Sequence, residues 1–422
     1  MKVLLSDGSG LTSRQCATRL SAAGHTVEVL APDPLCLCRF TRHVSRVHRV
    51  PVYGADPFGW LGAALAVYRT GRFDVLLPTQ EQVAVLSLAA GQLAAADVAT
   101  AVPPFAALAA VQDKISASAT LSRLGIPQPP TATEAAGWSR FPAFVKYPIG
   151  TASAGIRRVT TPGELAEAAA PGPVLIQAAA DGPLAMCQAV FDHGRLVAFH
   201  ACQRTGEGAG GGASHKLSIT LPQARRWFET LGAGLGWHGA LSADVILAAG
   251  GPVVIDVNPR LVEPQNAWLS GVDLVGPMLE LARGSHPAGQ PQGRAGLATH
   301  QLLLGVLGAA QHGRGRRGVA GELARAWRHS GAYRNSTEEL SPAAARDPRA
   351  LLPLAAAAAG TLAAPRTWSW FASGSVASYA LTAEGWQHIK HAHARQPSGK
   401  LPGIGDGDGA DEDPPGARAP TF

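Results

Sequence analysis

An α/β fold is predicted by three stretches of the sequence. The chain opens on an apolar run, a glycine turn, a helical repeat and a second apolar run. Far downstream, two strand-like runs separated by a short turn read as a β-hairpin carrying acidic residues, and the last third is rich in alanine. With 422 residues the chain is long enough for two or three packed lobes.

Taken in order, Val3, Leu4 and Leu5 form the first apolar run and Gly8, Ser9 and Gly10 the turn. Residues 12–23 then repeat at helical spacing, and residues 25–30 (HTVEVL) alternate as a strand. A strand–helix–strand opening implies a parallel sheet. The glycine turn lacks the third glycine of a dinucleotide fingerprint, and the second strand runs into Ala31 and Pro32 rather than an acidic residue. NAD is therefore not expected there. The free N–H groups at that helix start suit an anion or a substrate carboxylate. Residues 74–78 (DVLLP) read as a buried strand ending in a loop, 143–146 (AFVK) and 174–177 (VLIQ) as short strands, and 239–247 and 252–257 as the hairpin. Residues 295–310, 320–328 and 351–364 read as helices, and 373–389 carry a mixed strand–helix signal. From 397 the Gly-, Pro- and Asp-rich composition is that of a disordered tail.

Composition narrows the functional classes. The net charge is +6, but the basic residues are scattered, and their one tight cluster, Arg314, Arg316 and Arg317, lies in a Gly-rich stretch that reads as a solvated loop. Nucleic acid is not an expected partner. Five cysteines, an odd number in a long chain, argue against a disulfide framework and for a reducing, cytoplasmic setting. The opening MKVLLSDGSG meets Asp7 and Gly8 too soon for a signal peptide. Residues 351–364 are too short, and too interrupted by Pro353 and Gly360, for a transmembrane segment.

The chemistry concentrates between residues 106 and 285. Asp is disfavoured within strands, yet Asp244 and Asp256 interrupt two apolar runs of the hairpin. Asn258 follows Asp256 by two residues and shares its face. Two carboxylates and an amide oxygen converging there suit magnesium, a hard ion that keeps room for waters and phosphates. Arg260 carries a planar fork that reaches phosphate or acyl-phosphate oxygens. Lysines are scarce. Lys114 follows Asp113 at a helix start, and Lys146 ends a strand just before the small-residue loop YPIGTASAGI, a placement that suits polyphosphate. The glycine-rich stretch 206–212 (GEGAGGG) reads as a mobile loop able to close over a site.

In this order the features resemble the ATP-grasp superfamily, particularly its carbamoyl-phosphate-synthase-like and biotin-carboxylase-like carboxylate–amine ligases. The resemblance covers residues 1–285 and is carried by Asp113-Lys114 with Gly125-Ile126-Pro127-Gln128-Pro129, by Phe144-Val145-Lys146-Tyr147-Pro148, by Leu175-Ile176-Gln177, and by Asp256-Val257-Asn258-Pro259-Arg260 with Ser270-Gly271-Val272-Asp273-Leu274 behind it. It implies a Rossmann-like pre-ATP-grasp domain over 1–105 and a two-lobed α+β ATP-grasp domain over 106–285. A mainly helical region of unassigned role over 286–396 and the tail 397–422 remain outside it. It also implies ATP and Mg2+, with Mn2+ as a substitute. Lys114 and Lys146 would contact phosphates, and the loop bearing Thr151, Ser153 and Gly155 would cover them. Gln177 and its neighbours would hold adenine, with Asp181 in place of the ribose carboxylate. Asp244, Asp256 and Asn258 would hold the metal, and Arg260 would act beside Lys146 in catalysis. Gly8 to Gly10 and Thr79-Gln80-Glu81 would line the acceptor side. The family also implies a homodimer.

The sequence departs from the family in having Asp at both metal carboxylates, where Glu is usual, and Gln177-Ala178 in place of a hinge Glu. The expected activity is ATP-dependent joining of a small-molecule carboxylate to an amine. The alternatives are a bicarbonate-activating enzyme of the carboxylase or carbamoyl type, and a nucleotide-binding interaction protein without catalysis.

Overall fold

The computed structural model describes residues 1–151, 154–313, 315–340 and 345–395. Ser153, Arg314 and the tail from 397 lie outside them.

The first sheet is wholly parallel. Strands β1 (Lys2–Leu5), β2 (Thr26–Ala31), β3 (Arg46–Arg49) and β4 (Val75–Leu77) lie in the order β3-β2-β1-β4. Such sheets are covered on both faces, and alternation along β1 serves both. Val3 and Leu5 pack with Cys16 and Leu20 of helix Leu11–Ala22, and Leu4 packs with Trp60 and Leu61 of helix Pro57–Gly71. The latter helix is well begun: Pro57 sits in its first turn, and the Asp56 carboxylate accepts from Gly59 N at 2.9 Å.

The second sheet is a small antiparallel lobe. Strands β5 (Thr131–Ala132), β6 (Ala143–Lys146), β7 (Ile156–Val159) and β8 (Leu175–Ala178) run in the order β5-β8-β6-β7, with helix Pro162–Ala169 packed on Val145, Val159 and Ile176.

The third sheet has seven strands: β9 (Leu184–Asp192), β10 (Arg195–Glu207), β11 (Ala213–Ile219), β12 (Gly239–Ala248), β13 (Gly251–Asn258), β14 (Ala298–His300) and β15 (Ser336–Glu338). Their order is β13-β12-β9-β10-β11-β14-β15, so the hairpin β12–β13 forms one edge. The two-residue period of β9 explains how the sheet is sandwiched. Cys187, Ala189 and Phe191 face helices Lys114–Arg123 and Pro222–Leu235, whereas Val190 faces helices Gln265–Ser270 and Gly276–Ala282. The second of these cores also takes in Val3 and Val29, which ties the large sheet to the parallel one.

Several expectations are corrected. Residues 295–310 are not one helix: β14 pairs with His215 to Leu217 before helix Leu302–Gln311 begins. Residues 373–389 contain no strand; they belong to helices Trp368–Tyr379 and Ala383–Arg395. Leu381, Trp386 and Ile389 join the core around Leu4 and Trp60, so the last described helix packs on the first sheet. The stretch 206–212 is no mobile cover. It turns β10 into β11 and is pinned to helix Leu302–Gln311, where a side chain at Gly208 would collide with Leu304, and Gly210 N donates to Gln311 Oε1 at 2.8 Å. Arg316 lies in helix Gly315–Trp327 and donates to Ala363 O at 2.6 Å, rather than in a solvated loop.

A buried histidine makes this core acid-sensitive. His200 stands between Asn266 Oδ1 (2.7 Å) and Ser270 Oγ (3.2 Å), and burial pulls it down from 6.5 to about 4. His300 is likewise held at about 4, first by burial and then by His215. Both fold neutral but charge readily once unfolded. Their contribution is therefore complete above pH 6.5 and is lost as pH falls toward 4. The melting temperature is expected to fall progressively through that window, and less steeply in His200→Gln. Identical pH profiles for the two proteins would refute the assignment.

Candidate active site

The edge hairpin sets the two carboxylates face to face. In the β12–β13 register Asp244 lies directly opposite Asp256, and Ser242 opposite Asn258. Ile255 bulges out beside this pair, since Val245 already pairs with Val254. Desolvation, and then repulsion from Asp256, push the Asp244 carboxyl up to about 7. Lys146, Arg260 and Arg204 offset part of that rise. Lys114 Nζ is 3.9 Å from Asp256 Oδ1.

The lysines reach the hairpin from different elements. Lys114 begins helix Lys114–Arg123, whose N-cap Asp113 accepts from Ser116 N at 2.8 Å, and its ammonium donates to Gly150 O at 3.1 Å. Lys146 ends β6 in the small lobe. It is only 4% exposed, and its ammonium donates to Gln177 Oε1 (2.8 Å) and to Ile255 O on the bulge (2.7 Å). Burial lowers its pKa, while Asp256 pulls it back up. This lysine therefore bridges the small lobe to the edge of the large sheet.

Gln177 is buried, and its side-chain oxygen is committed to Lys146. Asp181 is exposed, in the loop between β8 and β9. Thr151 donates from its hydroxyl to Glu81, whose other oxygen accepts from Leu381 N at 2.7 Å. The loop after β6, the first sheet's last loop and the C-terminal helices thus meet at one glutamate. Gly155 has φ +74°, and its carbonyl accepts from Tyr147 N at 3.0 Å. Glu81, Lys114, Thr151, Asp256, Asn258 and Arg260 line one narrow cleft of about 20 Å³. That volume admits a water molecule.

Beyond Arg260 lies a network that sequence reasoning missed. Arg260 Nη1 donates to Leu261 O at 3.3 Å, and its buried Nε has no partner. Glu263 has a left-handed backbone, φ +53°, and its N–H donates to Thr12 Oγ1 at 3.1 Å. Its carboxylate accepts from Lys216 Nζ at 2.5 Å and from Gln301 Nε2. Lys216, 2% exposed, also donates to Glu339 Oε2 at 2.7 Å, and Gln15 Nε2 and Thr299 Oγ1 bond the same carboxylate. Burial lowers the Lys216 pKa, but Glu263 and Glu339 outweigh it and raise it. Tyr379 sits beside this network, its phenol raised by burial and lowered in turn by Arg260. One signal was available: Lys216 stands in the strand-like run ASHKLSI, where a lysine needs a reason. Nothing local marked Glu339 or Tyr379.

With this geometry in hand, the chain can be set beside known proteins. No family model matches the sequence, and no curated protein does. Solved structures do match. The biotin carboxylase of Campylobacter jejuni, in a β,γ-ATP complex, superposes with TM-score 0.56 over 70% of this chain and 74% of its own, at 15% identity. The L-amino acid ligase of Bacillus licheniformis gives 0.53 over 68% and 75%, at 15% identity. The carboxyaminoimidazole ribonucleotide synthase of Aspergillus clavatus, complexed with ATP, gives 0.55 over 71% and 81%, at 16% identity. The chain has the ATP-grasp fold. Lys146 joins the small lobe to the edge hairpin. No helix among the described residues is long and apolar enough to cross a membrane.

Proposed function

We propose that the chain is a magnesium-dependent ligase that activates a carboxylate with ATP and passes it to an amine. The observation that carries this reading is the face-to-face pair Asp244 and Asp256, with Asn258 on the same face and two lysines from separate elements converging on it. All three side chains offer oxygen, and burial, then Asp256, holds the Asp244 carboxyl at about 7. This donor set fits a hard divalent ion. Asp244, Asp256 and Asn258 would hold it, and bound there it would neutralise phosphate charge during transfer.

The chain's own residues would do the rest. Lys114 and Lys146 orient the polyphosphate between the small lobe and the hairpin. The γ-phosphoryl group passes to a substrate carboxylate oxygen and ADP leaves. The amine then attacks the carbonyl carbon, phosphate departs with the bonding pair, and the nitrogen gives up a proton. The Arg260 fork stabilises the oxyanion of the tetrahedral intermediate. Thr151 and Glu81 both line the cleft, and their contact would part on nucleotide entry. The polar surround of Arg260, Glu263 and Tyr379 supports an acceptor side shared by the first sheet's loops and the C-terminal helices. The likeness to an amino acid ligase supports the same reading at the level of fold.

The test is ADP release by purified protein with Mg-ATP and pooled amino acids and small carboxylates. Release is expected only with substrate present. Failure to bind Mg-ATP at all would overturn the proposal.

A further inference from the structure

At the opposite end of the large sheet, two segments bring a carboxylate and imidazoles together. Asp192 ends β9, His193 opens the turn to β10, and His238 leads into β12. Their ligating atoms all lie within 4.8 Å of one another. His238 is six residues from Asp244 along β12, about 20 Å at strand rise, so this cluster is separate from the candidate active site.

We propose that Asp192, His193 and His238 form a binding site for a divalent transition metal of the zinc class. The carboxylate carries the argument. Asp192 is 6% exposed at its side chain, and its Oδ2 is fully engaged, accepting from Arg195 Nη2 and facing His286 Nδ1, each at 2.9 Å. Its Oδ1 is buried with no hydrogen-bond partner. His238 Nδ1 lies 3.9 Å from Oδ1, and it is itself buried with no hydrogen-bond partner. Two orphaned buried atoms facing each other are costly unless something bridges them. A 3.9 Å separation is too long for a hydrogen bond, and a small turn of the His238 ring would bring it to the roughly 3.4 Å between two tetrahedral ligands that each sit about 2.0–2.1 Å from one metal.

The third ligand is well placed. The His193 and His238 rings stack at 4.1 Å with 23° between their planes. His193 is exposed, and a ring nitrogen lies within 4.8 Å of the other two ligating atoms. The scaffold beneath is rigid: Gly194 N donates to Trp237 O at 2.6 Å, and Trp237 is fully buried with its indole N–H on Ala240 O at 3.0 Å. Arg195 and His286 would orient the ligating carboxylate from behind, as outer partners of metal ligands do. Two imidazoles and one carboxylate with a solvent-facing side favour zinc over magnesium or calcium, which prefer all-oxygen sets.

The experiment uses untagged full-length protein, stripped with chelator and titrated with Zn2+ by calorimetry in excess Mg2+, which keeps the active-site carboxylates out of the readout. One equivalent of Zn2+ is expected to bind, with a rise in melting temperature. His193→Ala and His238→Ala should each weaken it by roughly 10- to 100-fold. Cobalt substituted for zinc should give visible absorption that both variants lose. Asp256→Asn should bind zinc as the parent does, so this result stands apart from the ligase reading. Absence of stoichiometric binding in Mg2+, or equal binding by parent and both histidine variants, would overturn the site.

Discussion

An Asp256→Asn variant is expected to stay folded and to lose substrate-dependent ADP release by roughly 100- to 1,000-fold, the usual cost of removing one group that stabilises transition-state charge. Asn keeps the shape of Asp on an edge strand but removes one of two facing charges. The same change should stabilise the metal-free protein. Asp244 is raised to about 7 by desolvation and by Asp256. A carboxyl whose folded pKa is raised costs nothing below its unfolded value of 3.8, and its full cost is present above about 7. Easing the repulsion therefore raises stability at pH 8 by about 1 kcal/mol, an advantage that fades as pH falls toward 4. Paired activity assays and thermal melts in chelator decide the matter. A variant that is both active and no more stable would show that these carboxylates neither bind metal nor repel each other.

Lys216→Met should destabilise the protein by about 3–5 kcal/mol, because removing one partner of a buried ion network strands the others. Here it strands two, Glu263 and Glu339, which face one ammonium from the loop behind Arg260 and from the end of β15. Glu339→Gln should cost much less, since Lys216 keeps Glu263. Urea unfolding at neutral pH measures both. Equal losses, or a loss below about 1 kcal/mol for Lys216→Met, would mean that the network contributes little. Because Glu263 follows Arg260 closely and holds a left-handed backbone, the lysine variant should also lower activity where it remains folded.

Much of the architecture was legible because local patterns and tertiary demands agree. The opening strands and their parallel pairing follow from short apolar runs around a helical repeat. The β12–β13 hairpin follows from two runs across a short turn, and Asn258 shares the face of Asp256 by the two-residue period of strands, whereas the facing of Asp244 and Asp256 depends on the register the structure supplies. The misreadings have a common cause. Residues 206–212 look mobile because glycine permits mobility, yet Gly208 is glycine because helix Leu302–Gln311 packs too close for any side chain. Residues 298–300 look helical because Ala and Leu surround them, but pairing with β11 overrides propensity.

The sequence by itself determined the α/β class, the hairpin that carries the carboxylates, and the two lysines that end or begin elements near it. Each of these rests on spacing within one segment. Only the tertiary structure decided that Gln177 holds Lys146, that Glu81 joins Thr151 to Leu381, and that Lys216 pairs with Glu263 and Glu339. These contacts join residues tens to hundreds of positions apart. Their existence depends on how the sheets stack, and periodicity along a chain carries no record of that stacking.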